Sequence, residues 1–416
     1  MSKLPPFNPL APAHCRNPYP AYRHYRLVDP VHCATGNSAA ENNSWYLFRH
    51  ADNMALLRDS RAGVDSATPT KSPEFAPELP VMDMRSPYEI MATNMMLLRD
   101  PPDHTRLRTL VGKAFTPRTI ANLDTRIHSV TDYLLDQVAD QGKMDMIADL
   151  AFPLPMIIIA ELLGIPSTDR DLMRTWSVTF STALDRVREE DAERVFTAAN
   201  ISAMEFTSYF EDLINERRRA PEEDLISGLL AAHDAGDRLD TEELVSMSFL
   251  LLAAGHETTV NLIGNGTLAL LQNQDQLDLL IQQPELMASA VDEFLRYDAP
   301  VQLTDRTIFE DIKLNGVLIR KGDWVTCLLG AANRDPAVFA EPDRLDVQRA
   351  NGNNHLAFSS GIHYCLGAPL AKLEGKIAFG RLLERMPDLE LAVPAADLTW
   401  RDGVVFHGVD ALPVKF

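Results

Sequence analysis

Phe358-Ser359-Ser360-Gly361-Ile362-His363-Tyr364-Cys365-Leu366-Gly367-Ala368-Pro369 is a loop with two glycines around a cysteine, and Leu370 to Leu383 follow it with apolar residues at helical spacing. The pattern delivers a thiol to the start of a helix. Backbone N–H groups and the positive end of the helix dipole favour a thiolate there. Pro369 suits the first turn, where its missing N–H costs no helix bond. Gly361 and Gly367 are expected to let the backbone approach a flat cofactor closely. A lone cysteine is more simply read as a buried structural residue, but the complete spacing argues for a functional thiolate.

Upstream lies a long apolar stretch that opens with Asp240 as N-cap and Glu243 closing a capping box, and continues to about Gln272. Such a helix measures roughly 48 Å. Apolar on most sides, it must cross the middle of the protein, and the interruption Ala254-Gly255-His256-Glu257-Thr258-Thr259 then needs a reason. Gly255 and Thr258 or Thr259 share a face that admits a small ligand. Glu257 and Thr258 offer a carboxylate and a hydroxyl that can relay protons. The plainer alternative pairs Glu257 structurally and back-bonds Thr258 to a helix carbonyl. His256 is read as a satisfied helix histidine.

Apolar residues recur at helical spacing through most of Asp103 to Arg296, as in Thr119–Val138 and Met204–Arg218, and Glu293 and Arg296 stand three apart on one predicted helix. Arg306 to Leu328 alternate around Asn315-Gly316 and read as a short hairpin, and Leu398 to Val414 read similarly. The fold class expected is mainly α with a small β region (α+β), as one domain over residues 1–416. Residues 1–20, rich in proline, are expected to be an extended segment.

A net charge of -20 without a block of like charges makes nucleic acid an improbable partner. The four cysteines, Cys15, Cys33, Cys327 and Cys365, are too scattered for a disulfide framework and fit a reducing cytoplasm. Leu244 to Gly255 is too short to cross a bilayer, the start of the chain lacks a signal-peptide core, and no membrane partner is expected.

The Cys365 segment resembles the haem-binding signature of the cytochrome P450 family, F-x-x-G-x-H-x-C-x-G, with Phe358, Gly361, His363, Cys365 and Gly367 in place. Ser359 departs from it, standing where bacterial members usually have glycine. The resemblance implies haem b as cofactor, Cys365 as axial thiolate and His363 at a propionate. It makes Ala254 to Thr259 an oxygen-activation motif, with Glu257 the acid and Thr258 the alcohol. Glu293 and Arg296 match the family's E-x-x-R pair, a structural support of the cysteine loop that either Arg344 or Arg349 would complete. His104 and Arg108, four apart on one helical face, and Arg306 match further propionate contacts, whereas Arg106 is expected in solvent. The likeness runs from about Asn17 to Val414 and implies a triangular, mainly helical fold.

The implied activity is a monooxygenase that hydroxylates a C–H bond with O2 and two electrons from a separate ferredoxin-type donor and its reductase. A local basic patch of Arg108, Lys113, Lys372 and Lys376 is the expected docking surface. Residues 252–263 and 329–336 look like the subgroup oxidising macrolides and other polyketides, free or tethered to a carrier protein; a related subgroup acts on fatty acyl chains. Pocket walls are expected from Pro80–Leu98, Ser181–Val195, Ala253, Ala254, Val301–Leu303 and Val404–Phe406, with Ala253, Ala254, Val301, Leu303 and Val405 foremost. A gas sensor without turnover would not need the Glu257–Thr258 pair, and peroxide-driven relatives commonly replace it. A monomer is expected.

Overall fold

The central helix spans Thr241–Leu271 in a computed structural model that describes residues 7–34, 43–64, 86–185, 188–232 and 237–416. Its capping box is present: Asp240 accepts from the Glu243 N–H at 2.8 Å, and Glu243 accepts from the Asp240 N–H at 3.0 Å. Helices Pro153–Leu162, Arg170–Leu184, Glu189–Arg219, Met287–Tyr297 and Ala368–Arg385 pack around it, which is why it is apolar on nearly every side. Gly266 permits a close approach of two of them. A Cβ there would lie 2.5 Å from Phe379 and 3.0 Å from Phe294, side chains of the two helices flanking it.

The β region is small. One five-stranded sheet has the order Val31–Cys33, Ser44–Leu47, Trp324–Leu328, Leu303–Ile308, Ala62–Gly63, with Ser44–Leu47 parallel to Trp324–Leu328. The alternation from Arg306 to Leu328 resolves into two nested antiparallel pairs. Leu303–Ile308 pairs with Trp324–Leu328, and between them Ile312–Leu314 and Val317–Ile319 form a tight hairpin. Asn315 and Gly316 turn it with φ of 47° and 83°, the positive values a type I′ turn requires.

Leu398 to Val414 keeps only the base of the expected hairpin. Trp400 and Val409 bridge antiparallel, with the Arg401 N–H donating to the Gly408 carbonyl and the Asp410 N–H to the Thr399 carbonyl, both at 3.0 Å, while the end, Pro413–Lys415, pairs with Lys143–Asp145 and Glu390–Leu391. The strands go no further because Val404, Val405 and Phe406 give their N–H groups to the Asp185 carboxylate. Among residues 7–20 the expected extended segment is also corrected. Pro12–Arg16 is helical, a second helix starts at Tyr19, and buried Phe7 lies against Tyr22, Tyr25, Tyr46 and Phe48, so aromatic packing holds this end down. Residues 1–6 lie outside those described. Thr119–Val138 breaks into Pro117–Ala121 and Asp124–Asp136, and Arg106 is ion-paired with Glu243 and Asp237 rather than solvated alone. No helix among the described residues is long and apolar enough to cross a membrane.

Candidate active site

The helix after the cysteine loop begins at Ala368 with Pro369 in its first turn. Burial pushes the Cys365 thiol up, while hydrogen bonds from the Gly367 and Ala368 N–H groups, with Arg108 nearby, favour the thiolate. The loop closes on itself through the Cys365 N–H, which donates to the Phe358 carbonyl at 3.0 Å. Gly361 has a φ of 72°, and a Cβ on it would stand 2.2 Å from the Leu57 carbonyl oxygen. The positive φ and this backbone contact are each reason enough for a glycine there. Ser359 takes a φ of 61°, the left-handed conformation glycine adopts freely, and its buried hydroxyl makes no hydrogen bond.

Four nitrogen-bearing side chains converge beside this loop. His104, on the helix Asp103–Ala114, places its ring 4.3 Å from that of His363. His104 Nδ1 and His363 Nε2 are buried without a hydrogen-bond partner, the nearest carboxylate oxygen to the latter being Asp100 Oδ1 at 3.9 Å. Burial, then His363 and Arg108, push His104 down to about 4; burial, with Arg306 and Arg108 contributing, lowers His363. Arg108 donates to the Tyr364 carbonyl at 2.6 Å, and buried Arg306 donates to Thr304 Oγ1 at 3.1 Å and the Asp305 carbonyl at 2.6 Å. Burial holds both arginines below their ordinary range. Orphaned imidazole nitrogens beside desolvated guanidinium groups suit an anionic ligand, and the cluster fits the propionates of a haem whose iron would meet Cys365.

On the central helix, Leu251, Ala254, Gly255 and Thr258 are at least partly exposed in an otherwise buried stretch. Their spacing puts them on one stripe. Thr258 donates its hydroxyl to the Ala254 carbonyl at 2.8 Å, and a Cβ on Gly255 would meet only Ile159, at 3.7 Å. Glu257 is turned elsewhere: it is 1% exposed, ion-paired with Arg401 and 3.4 Å from Asn261 Nδ2. Neighbours in sequence, Glu257 and Thr258 thus occupy different faces. His256 is satisfied by Ser177 Oγ at 2.7 Å and the Phe152 carbonyl at 3.0 Å, and burial pushes it down to about 4. Behind Thr259, burial pushes the Glu374 carboxyl up to about 8.

Glu293 and Arg296 form a fully buried bidentate pair at 2.6 and 2.7 Å. Arg349 completes the network through Nε, 3.1 Å from Glu293 Oε2, whereas the Arg344 side chain reaches Glu341 and only its carbonyl joins in. Arg296 also donates to the Asn333 and Pro342 carbonyls. Asn333 Oδ1 in turn accepts from the Leu356 N–H at 2.6 Å, which carries the network towards the cysteine loop. Sequence reasoning missed the neighbouring strut: Asp292 lies 3.4 Å from His355 and 2.6 Å from Lys372, an expected docking cation that is already engaged.

Of the expected pocket residues, Ala254, Val301 and Val405 are at least partly exposed. Ala253 and Leu303 are not available, at 1% and 2% exposure, because their faces belong to the hydrophobic core. Residues 80–85 and 186–187 of the expected walls lie outside those described. Sequence reasoning also missed Leu251 and Arg401, and held Asp185 only as part of the wall Ser181–Val195; i±3 and i±4 spacing from Ala254 and Thr258 would have found Leu251.

Residues 64–387 match the family model described as Cytochrome P450. The chain is 41% identical to the polyketide biosynthesis cytochrome P450 PksS of Bacillus subtilis (strain 168) over 411 residues, 98% of each chain. It is 41% identical to the biotin biosynthesis cytochrome P450 of the same organism over 403 residues, 96% of each. The solved structure of P450BioI in complex with hexadec-9Z-enoic acid ligated acyl carrier protein superposes with a TM-score of 0.86 at 40% identity, covering 96% of this chain and 98% of that one.

Proposed function

The chain belongs to the cytochrome P450 family, and from that premise we propose that this monooxygenase hydroxylates a C–H bond of a polyketide, macrolide-type or carrier-tethered acyl substrate. The overall reaction takes O2, two electrons and two protons, leaving one oxygen in the product and the other in water. Relatives named for polyketide and biotin biosynthesis, and one solved with an acylated carrier protein, support that substrate class. The family's chemistry requires redox partners, here a ferredoxin-type protein and its reductase. The protein works as a cytoplasmic monomer of one domain.

The observation that carries this reading is a cysteine with two backbone donors beside a cluster of orphaned imidazoles and desolvated arginines. Cys365 is assigned as the axial thiolate of haem b, with His104, Arg108, Arg306 and His363 holding the propionates. When bound, the haem-thiolate group supplies the electron-accepting and dioxygen chemistry. The residues of the chain do the rest. Leu251, Ala254, Val301 and Val405 offer apolar surface to substrate, and the Thr258 hydroxyl, tied to the Ala254 carbonyl, sits where it can pass a proton across the open stripe. Glu257 relays that proton: once its carboxylate swings from Arg401 it takes up a proton from solvent and hands it to the Thr258 hydroxyl.

The test combines a spectral binding screen of polyketide intermediates and fatty acyl carrier conjugates with product formed per reduced nicotinamide consumed. Thr258→Ala is expected to bind haem and substrate normally while diverting electrons to hydrogen peroxide, and Glu257→Gln to slow turnover by about 10²-fold. Unchanged coupling in both variants would overturn the roles given to the central helix.

A further inference from the structure

Glu257 is held from an unexpected direction. Arg401, its ion-pair partner, lies on the loop 400–408, whose Val405 and Phe406 are partly exposed and whose Phe406 bridges to Val301. The loop's base is pinned where the Arg401 N–H donates to the Gly408 carbonyl at 3.0 Å. Its tip wraps the carboxylate of Asp185, which caps the helix Arg170–Leu184 and accepts from the N–H groups of Val404 and Val405 at 3.0 Å and Phe406 at 3.3 Å. A Cβ on Gly403 would stand 2.1 Å from Asp185 Oδ2, so only glycine lets the chain close round it. The same helix touches the central helix a second time, through Ser177 and His256. A path of direct contacts therefore runs from Asp185 through the loop and Arg401 to Glu257.

We propose that Arg401 is a positioning residue that ties the Glu257 carboxylate to the loop 400–408, so that the state of a pocket-lining loop sets whether the carboxylate is withdrawn or free to deliver a proton. This rests on the proton-delivery reading of Glu257. The pair does not open without a driving force, because the Glu257 carboxylate, 1% exposed, would be left desolvated and without its cation. A substrate pressing on Val405 and Phe406 can supply that force only if it binds the shifted loop better than the resting one. Such coupling is reciprocal: removing the charge on Glu257 must loosen the loop.

Hydrogen exchange of the Val404, Val405 and Phe406 amides, read in the haem-loaded protein without substrate, tests the tether directly. Asp185→Asn, which weakens their acceptor, sets the upper limit. Glu257→Gln, nearly isosteric, is expected to speed exchange about tenfold, Arg401→Met to the same extent, and the double variant no further. Arg401→Lys should restore most of the protection and also the coupling of nicotinamide to product that Arg401→Met loses. Wild-type exchange in Glu257→Gln, or additive effects in the double variant, would overturn the tether. If Thr258→Ala uncouples turnover while Arg401→Met does not, positioning by Arg401 falls and the reading of the site stands. If Thr258→Ala and Glu257→Gln both stay coupled, it is that reading which falls, and the exchange data still decide the tether.

Discussion

The cysteine loop and the loop 400–408 are both held by buried charge, but by different kinds. Behind the cysteine loop, Glu293 is gripped by Arg296 and Arg349, whose spare N–H groups go to backbone carbonyls. Arginine does not lose its proton at any ordinary pH, so this pairing does not titrate away from the cation side. Loop 400–408 hangs instead from three separate elements, through Asp185, Glu257 and the pairing of His407 with Asp298 at 3.0 Å. In the function proposed, the cysteine side has to present a thiolate without variation, whereas the side of loop 400–408 has to admit and release a ligand.

Removing the sulfur gives the largest effect. Cys365→Ser should abolish the red-shifted band of the reduced carbon monoxide complex and all turnover, while Cys15, Cys33 and Cys327 variants keep both; retention of the band in Cys365→Ser would break the assignment.

Next comes the buried triad. Glu293→Gln leaves two buried arginines short of a counter-charge and should cost about 3–5 kcal/mol, with loss of haem retention, measured by urea unfolding and haem release. A loss below 1 kcal/mol would show that the proximal network is no stiffer than the distal one.

The distal pair responds to pH. Burial disfavours the charged form of His407, but Asp298 and the backbone carbonyls of Arg16 and Cys15 outweigh it and raise its pKa; burial also opposes the charge on Asp298, which His407 and Tyr19 outweigh, so the carboxyl is lowered. A raised histidine contributes stability fully present below about pH 6.5, its unfolded value, and lost as pH rises through the folded value. The lowered carboxyl contributes above about pH 4 and loses it as pH falls through its folded value. His407→Gln should thus cost roughly 2 kcal/mol near pH 6 and much less at pH 9. An equal cost at both would mean that the pair is not charged.

The smallest effect is a gain: Ser359→Gly relieves a left-handed serine and an unpaired buried hydroxyl, and should raise stability by roughly 1 kcal/mol in thermal or urea unfolding. No gain would show that the loop tolerates the serine through its other contacts.

The cysteine loop was legible because all its parts lie within twelve residues and each does a local job: a glycine with positive φ, an N-terminal thiol, a proline in the first turn. The same holds for the capping box at Asp240 and the turn at Asn315-Gly316. The distal loop forms only the base of the hairpin expected there, because the donors at its tip are taken by a side chain more than 200 residues away, at Asp185, and spacing carries no trace of that. Ala253 and Leu303 were misplaced for a related reason. Apolar side chains on a helix or strand look alike whether they face a ligand or the core, and only packing distinguishes them.

The amino-acid sequence by itself determined the cysteine loop at a helix start, the buried central helix with its polar interruption and the helical class, since each follows from dihedral preferences or from periodicity within one element; that Glu293 and Arg296 are a buried pair came only from the resemblance. Tertiary structure alone decided that Arg349 rather than Arg344 completes the pair with Glu293, that His104 and His363 meet with orphaned nitrogens, and that Glu257 turns from Thr258 to Arg401. Those are choices among equally charged or equally polar partners far apart in the chain. Only the folded path of the backbone brings one candidate within reach and takes the others out of it, and desolvation then makes that one contact the tolerable place for the charge.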